Sequence, residues 1–102
     1  MRSRDEIKVF LKDIQKQNLG MVELAKVFAE CAHAGQLDKG GQAYIYHPTR
    51  VAEMTAEKYE DDILTAIAYM HDVVEDGGFT VSDLAAYFPV AVWKTVELLT
   101  RG

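Results

Sequence analysis

Helix start and stop signals punctuate this chain almost from end to end, and they leave little room for any other kind of structure. Ser3-x-x-Glu6 has the spacing of a capping box, and Ile7, Phe10, Leu11 and Ile14 follow at helical intervals. Asn18-Leu19-Gly20 ends that helix. A second is expected over residues 21–34, burying Leu24, Val27, Phe28 and Cys31. Residues 35–46 read as a loop, marked by Gly40-Gly41 and a mixed polar composition. Pro48 suits the first turn of a third helix, which reaches Tyr59. Asp61 or Asp62 opens a fourth that continues to Gly77-Gly78. Thr80-x-x-Asp83 caps a short fifth, and Pro89 starts a sixth that runs to the end of the chain. No segment alternates in the manner of a strand. The expected fold is all-α, a bundle of about six helices in one domain over residues 1–102.

Charge and composition narrow the function. The net charge is −5 and Lys and Arg form no dense run, so binding to a DNA or RNA backbone is not expected. A phosphorylated small molecule remains open, because a bound cation would supply the positive charge. The single cysteine, Cys31, leaves no internal disulfide and suits a reducing compartment. No apolar run approaches the ~20 residues that cross a bilayer, and nothing near Met1 resembles a signal peptide. The expectation is a cytoplasmic protein with no membrane partner.

The fourth helix carries the chemistry. Its Ile63, Ala66, Ile67, Met70 and Val74 fall on one side, and His71, Asp72, Glu75 and Asp76 fall largely on another. At about 100° per residue, those four polar groups lie within about 140° of one another. Three carboxylates and an imidazole so close together repel one another when ionised, which a helix tolerates mostly where a cation or a reaction needs them. The bland reading is a solvated, polar helix end. Adjacent His-Asp with the remote imidazole of His47 favours a metal site, in which His47, His71 and Asp72 hold a divalent ion. A mixed nitrogen and oxygen set suits Mn²⁺, Fe²⁺ or Zn²⁺ better than Ca²⁺. Glu75 and Asp76, one turn on, could orient a water and take its proton.

Other residues invite plainer readings. His33, beside Cys31 and Ala32, reads as a packed, hydrogen-bonded residue rather than a ligand, and Cys31 as core. Tyr44 and Tyr46 flank the loop, where either could stack on a base or fill the core. Lys39 and Arg50 are the cations nearest the site in sequence, and either could meet phosphate.

In order along the chain stand Ala32-His33-Ala34-Gly35-Gln36, Lys39-Gly40, Tyr44-Ile45-Tyr46-His47-Pro48, Ala66-Ile67-Ala68-Tyr69-Met70-His71-Asp72-Val73-Val74-Glu75-Asp76 and Leu98-Leu99-Thr100. Over roughly residues 20–101 this resembles the histidine–aspartate (HD) hydrolase domain of the RelA/SpoT family, small stand-alone alarmone hydrolases included. The resemblance implies an all-helical fold, Mn²⁺ as cofactor and hydrolysis of the 3′-pyrophosphate of (p)ppGpp. By position it gives His47, His71 and Asp72 to the metal, and Glu75 and Asp76 to water activation and metal support. Lys39 and Tyr44 become the candidates for holding the nucleotide.

The chain departs from that pattern twice. Asp38 stands where the family usually has an Arg that helps hold the guanine nucleotide, and a carboxylate there would repel phosphate. The family domain also continues through further helices, one bringing the last metal-ligating Asp, whereas this sequence stops at Gly102. Weak or absent hydrolysis by this chain alone is therefore expected, and Asp38→Arg is expected to improve nucleotide binding. The rival reading is a non-catalytic HD-like module that binds a nucleotide or a protein. The last helix, apolar at Ala91, Val92, Trp93, Val96, Leu98 and Leu99, is expected to serve a homo-oligomer.

Overall fold

The computed structural model describes residues 2–100, and among them every regular element is a helix: α1 (Arg4–Ile14), α2 (Met21–His33), α3 (Tyr46–Tyr59), α4 (Asp62–Met70), α5 (Val73–Gly77), α6 (Val81–Ala85) and α7 (Val90–Leu99). One isolated bridge, Leu37 to Ala43, closes the loop between α2 and α3. The capping signals act as their spacing implies. Ser3 accepts from the Glu6 amide while the Glu6 side chain returns to the Ser3 amide, and Thr80 and Asp83 form the same reciprocal pair. The Asp61 carboxylate accepts from the Leu64 amide at 3.1 Å and starts α4. Glu60 turns the chain from α3 into α4 in a left-handed conformation, φ 50°. Residues 101 and 102, the end of the expected last helix, lie outside the described residues.

The core is one cluster with α4 at its centre, packed against α2, α3 and α7. Phe28 of α2 gathers the aromatics, meeting Phe10, Phe79, Tyr87 and Phe88 at centroid distances of 4.9–5.8 Å. Helix α2 buries Phe28 as expected from sequence, but the rest of its core face differs. Ala25, Phe28, Ala29 and Ala32 are its buried apolar residues, while Leu24, Val27 and Cys31 are only half-buried at the border. Close approach selects the small residues: a Cβ on Gly77 would stand 2.3 Å from the Ala32 Cβ. Helix α5 therefore lies almost backbone to backbone on α2.

The expected fourth helix is also two helices. Helix α4 ends at Met70, His71 and Asp72 form a turn, and α5 begins at Val73. Asp72 sits at φ −110°, ψ 2°, in the sparsely used bridge between the helical and extended regions. The break explains how the carboxylates are accommodated. It moves Glu75 and Asp76 from the negative end of a long helix to the first turn of a new one, where the dipole favours anions.

On α7, Val92 and Val96 are fully buried, but Leu98 and Leu99 remain 75% and 55% exposed. Leu99 forms one edge of an open apolar groove of about 540 Å³, whose walls are Val51, Thr55 and Tyr59 of α3 and Leu64 and Ile67 of α4. None of the helices among the described residues is long and apolar enough to cross a membrane.

Candidate metal centre

His71 and Asp72 of the α4–α5 turn line that groove, and His47 of α3 and Tyr44 of the loop before it stand beside them. His71 caps α4 and folds its ring back, so that Nδ1 lies 2.8 Å from the Ala68 carbonyl oxygen. A carbonyl only accepts, so Nδ1 carries a hydrogen, and in the neutral form of the ring the lone pair is on Nε2. That Nε2 lies 3.1 Å from Asp72 Oδ2. Two acceptors face each other at contact distance, an arrangement that calls for a proton or a cation between them. The spacing suits a cation. Ligand atoms about 2.1 Å from one ion and at right angles to each other stand about 3.0 Å apart.

His47, near the start of α3, is exposed, and its ring centre lies 6.0 Å from that of His71 at an interplanar angle of 70°. Two imidazoles on one ion hold their centres roughly 4.5–6.5 Å apart, so this distance fits a shared ion. As placed, however, no group of three His, Cys, Asp or Glu side chains among the described residues stands ready to hold a metal ion. The site consists of one pair at ligand spacing with a second imidazole beside it.

Tyr44 donates its hydroxyl hydrogen to Asp72 Oδ2 at 2.5 Å. Burial raises the phenol's pKa first; the hydrogen bond to Asp72 and the negative charges of Asp72, Asp76 and Glu75 raise it further. The exposed carboxylates of Glu75 and Asp76 thus lie close enough to be felt at the site. The Tyr44 hydroxyl, a candidate nucleotide contact by sequence, is already engaged by Asp72.

Two loop residues have roles that the sequence did not announce. Gln36 ties four points together. Its carbonyl accepts from the Tyr44 amide at 2.9 Å, and its side-chain amide donates to the Ala32 and Asp76 carbonyls at 3.1 and 2.9 Å. Its Oε1 faces His33 Nδ1 at 2.9 Å. His33 is buried as expected, yet its Nε2 has no hydrogen-bond partner, and its ring packs 4.8 Å from that of Tyr44. Asp38 is a turn former. Its Oδ1 accepts from the amides of Gly40 at 2.8 Å and Gln42 at 2.9 Å. That turn holds Lys39 out in solvent.

No family model matches the chain. Individual proteins do. The chain is similar to short stretches of proteins named as GTP pyrophosphokinases and guanosine-3′,5′-bis(diphosphate) 3′-pyrophosphohydrolases. A probable GTP pyrophosphokinase of Mycobacterium leprae (strain TN) is 38% identical over 86 residues, 84% of this chain and 11% of that protein. A guanosine-3′,5′-bis(diphosphate) 3′-pyrophosphohydrolase of Vibrio cholerae is 36% identical over 96 residues, 89% of this chain and 14% of that protein. A probable 3′-pyrophosphohydrolase of the same kind from Synechocystis is 35% identical over 74 residues. The chain therefore spans about a tenth of the length of the curated relatives it matches.

Proposed function

We propose that this chain is an HD-type, metal-dependent phosphohydrolase unit of the RelA/SpoT kind, acting on the 3′-pyrophosphate of (p)ppGpp. The observation that carries the reading is the His71–Asp72 pair: an imidazole lone pair, fixed by the Ala68 carbonyl, facing a carboxylate oxygen at 3.1 Å. The relatives named as 3′-pyrophosphohydrolases supply the substrate class.

His71, Asp72 and, after a side-chain rotation, His47 would hold a divalent cation, for which Mn²⁺ suits the mixed nitrogen and oxygen donors. When bound, such an ion polarises a phosphoryl oxygen and acidifies a water molecule. Glu75 and Asp76, exposed on the first turn of α5, orient the attacking water and take its proton. Lys39, presented by the Asp38 turn, offers an ammonium group to the phosphates.

The rival is a non-catalytic HD-like module that binds a nucleotide or a protein. It draws on the lack of a ready three-residue ligand set and on Asp38, whose carboxylate sits beside Lys39. Release of pyrophosphate from ppGpp separates the two. The hydrolase reading expects weak release that needs added Mn²⁺, stops with chelator and is abolished in Asp72→Ala. Release that survives both treatments contradicts it, and so does tight nucleotide binding with none released at any Mn²⁺ concentration.

A further inference from the structure

Tyr44 is the one side chain that donates a hydrogen bond to Asp72 among the described residues once the His71 ring is read with its hydrogen on Nδ1. Three contacts fix the tyrosine in turn. Its backbone amide donates to the Gln36 carbonyl at 2.9 Å, its ring lies 4.8 Å from that of buried His33, and its other side faces His47 at 5.9 Å. His33 cannot turn freely, because Nδ1 is held by Gln36 Oε1 and the whole ring is enclosed. Gln36 is anchored at the far end on the Ala32 and Asp76 carbonyls. A continuous chain of contacts thus runs from the end of α2 through the loop to a single carboxylate oxygen.

We infer that Tyr44 is a positioning residue for Asp72, with Gln36 and His33 as its buttress. This deepens the proposed function, and it rests on that reading only where a metal is concerned. A carboxylate in a turn has several rotamers, and its neighbour on the other side, His71 Nε2, presents a lone pair that repels it. Without a donor from the opposite direction, Asp72 would swing away from the imidazole. The hydroxyl of Tyr44 supplies that donor at 2.5 Å and leaves Oδ2 turned toward His71. The assignment differs from a nucleotide contact: the phenol serves the carboxylate, and the base or phosphate must find other partners. Partners of this sort orient a ligand before the ion arrives, and their loss typically weakens metal affinity about 10- to 100-fold.

Tyr44→Phe deletes only the hydroxyl and keeps the ring against His33. Two measurements follow on the full chain. The first needs no metal: the Asp72 side-chain rotamer, read from NMR three-bond couplings. The wild type should show one χ1 rotamer and Tyr44→Phe an average over several. The second is Mn²⁺ affinity by electron paramagnetic resonance, expected to fall about 10-fold in Tyr44→Phe. Circular dichroism of the variant should match the wild type, and Gln36→Glu, which removes the anchoring donor, should show a smaller change of the same kind. A single unchanged Asp72 rotamer in Tyr44→Phe overturns the inference. An averaged rotamer with unchanged Mn²⁺ affinity overturns it as well, since the ion would then orient the carboxylate unaided. If the wild type binds no Mn²⁺ but Asp72 is released in the variant, the positioning role stands and the metal-dependent function falls.

Discussion

The two sides of the His71–Asp72 turn are built on opposite plans. On one side α5 lies against α2 with no space to spare, Gly77 touching Ala32, and Gln36 bonds the loop, α2 and α5 together. On the other, α3, α4 and α7 open into a groove whose apolar rim is left to solvent, with Tyr59 56% and Leu99 55% exposed. The same two residues therefore belong to a rigid wall and to an open one. A metal or substrate site needs both: fixed donors that do not relax when a ligand leaves, and a face through which the ligand enters.

The sharpest way to break the closed side is Gly77→Val. The first added carbon alone would lie 2.3 Å from one Ala32 atom and 3.0 Å from another, so α5 must move. Urea unfolding should show a loss of about 3 kcal/mol or more, toward the upper end for overpacking. An unchanged midpoint would mean that the α2–α5 contact is not tight in solution.

Gln36→Ala comes next. It strands the Ala32 carbonyl and His33 Nδ1 in partly buried surroundings and frees the exposed Asp76 carbonyl. We expect a loss of about 1–3 kcal/mol, with faster amide exchange across 73–78. Asp38→Ala should cost less, about 1 kcal/mol, because it frees only the exposed Gly40 and Gln42 amides. Limited proteolysis should then cut the 36–43 loop faster. Asp38→Arg should open the loop in the same way, alongside the improved nucleotide binding expected from sequence. The smallest effect belongs to the open side. Tyr59→Lys or Leu99→Lys should shift stability by no more than about 0.5 kcal/mol, since neither side chain is enclosed. A large loss in either would show that something in solution covers the groove.

Much of the architecture is legible in the sequence. The capping pairs Ser3–Glu6 and Thr80–Asp83 and the Asp61 cap are local, so spacing reveals them. The break between α4 and α5 is not, because the pattern of apolar residues runs straight through it. It is marked instead by a histidine ring bonded back to the Ala68 carbonyl and by the dihedral angles of Asp72. The core face of α2 is only partly legible for a related reason: hydrophobicity points to Phe28, which is buried, and to Leu24 and Val27, which are half-buried, whereas the approach of Gly77 selects alanines. At the site, the His-Asp pair and His47 could be named from residue type. Their neighbourhood, with His47 and His71 rings 6.0 Å apart across 24 positions, depends on how α3 packs on α4. The work of Gln36 and Asp38 was hidden, since it consists of bonds to backbone groups that no residue pattern encodes.

The most direct test of the proposed metal centre is a crystal soaked in Mn²⁺ and measured at the manganese absorption edge. The account expects an anomalous peak within about 2.0–2.3 Å of His71 Nε2 and Asp72 Oδ2, with the His47 ring turned toward it and no such peak in Asp72→Ala. A saturated soak with no peak between these side chains, or a peak that persists in Asp72→Ala, would contradict it.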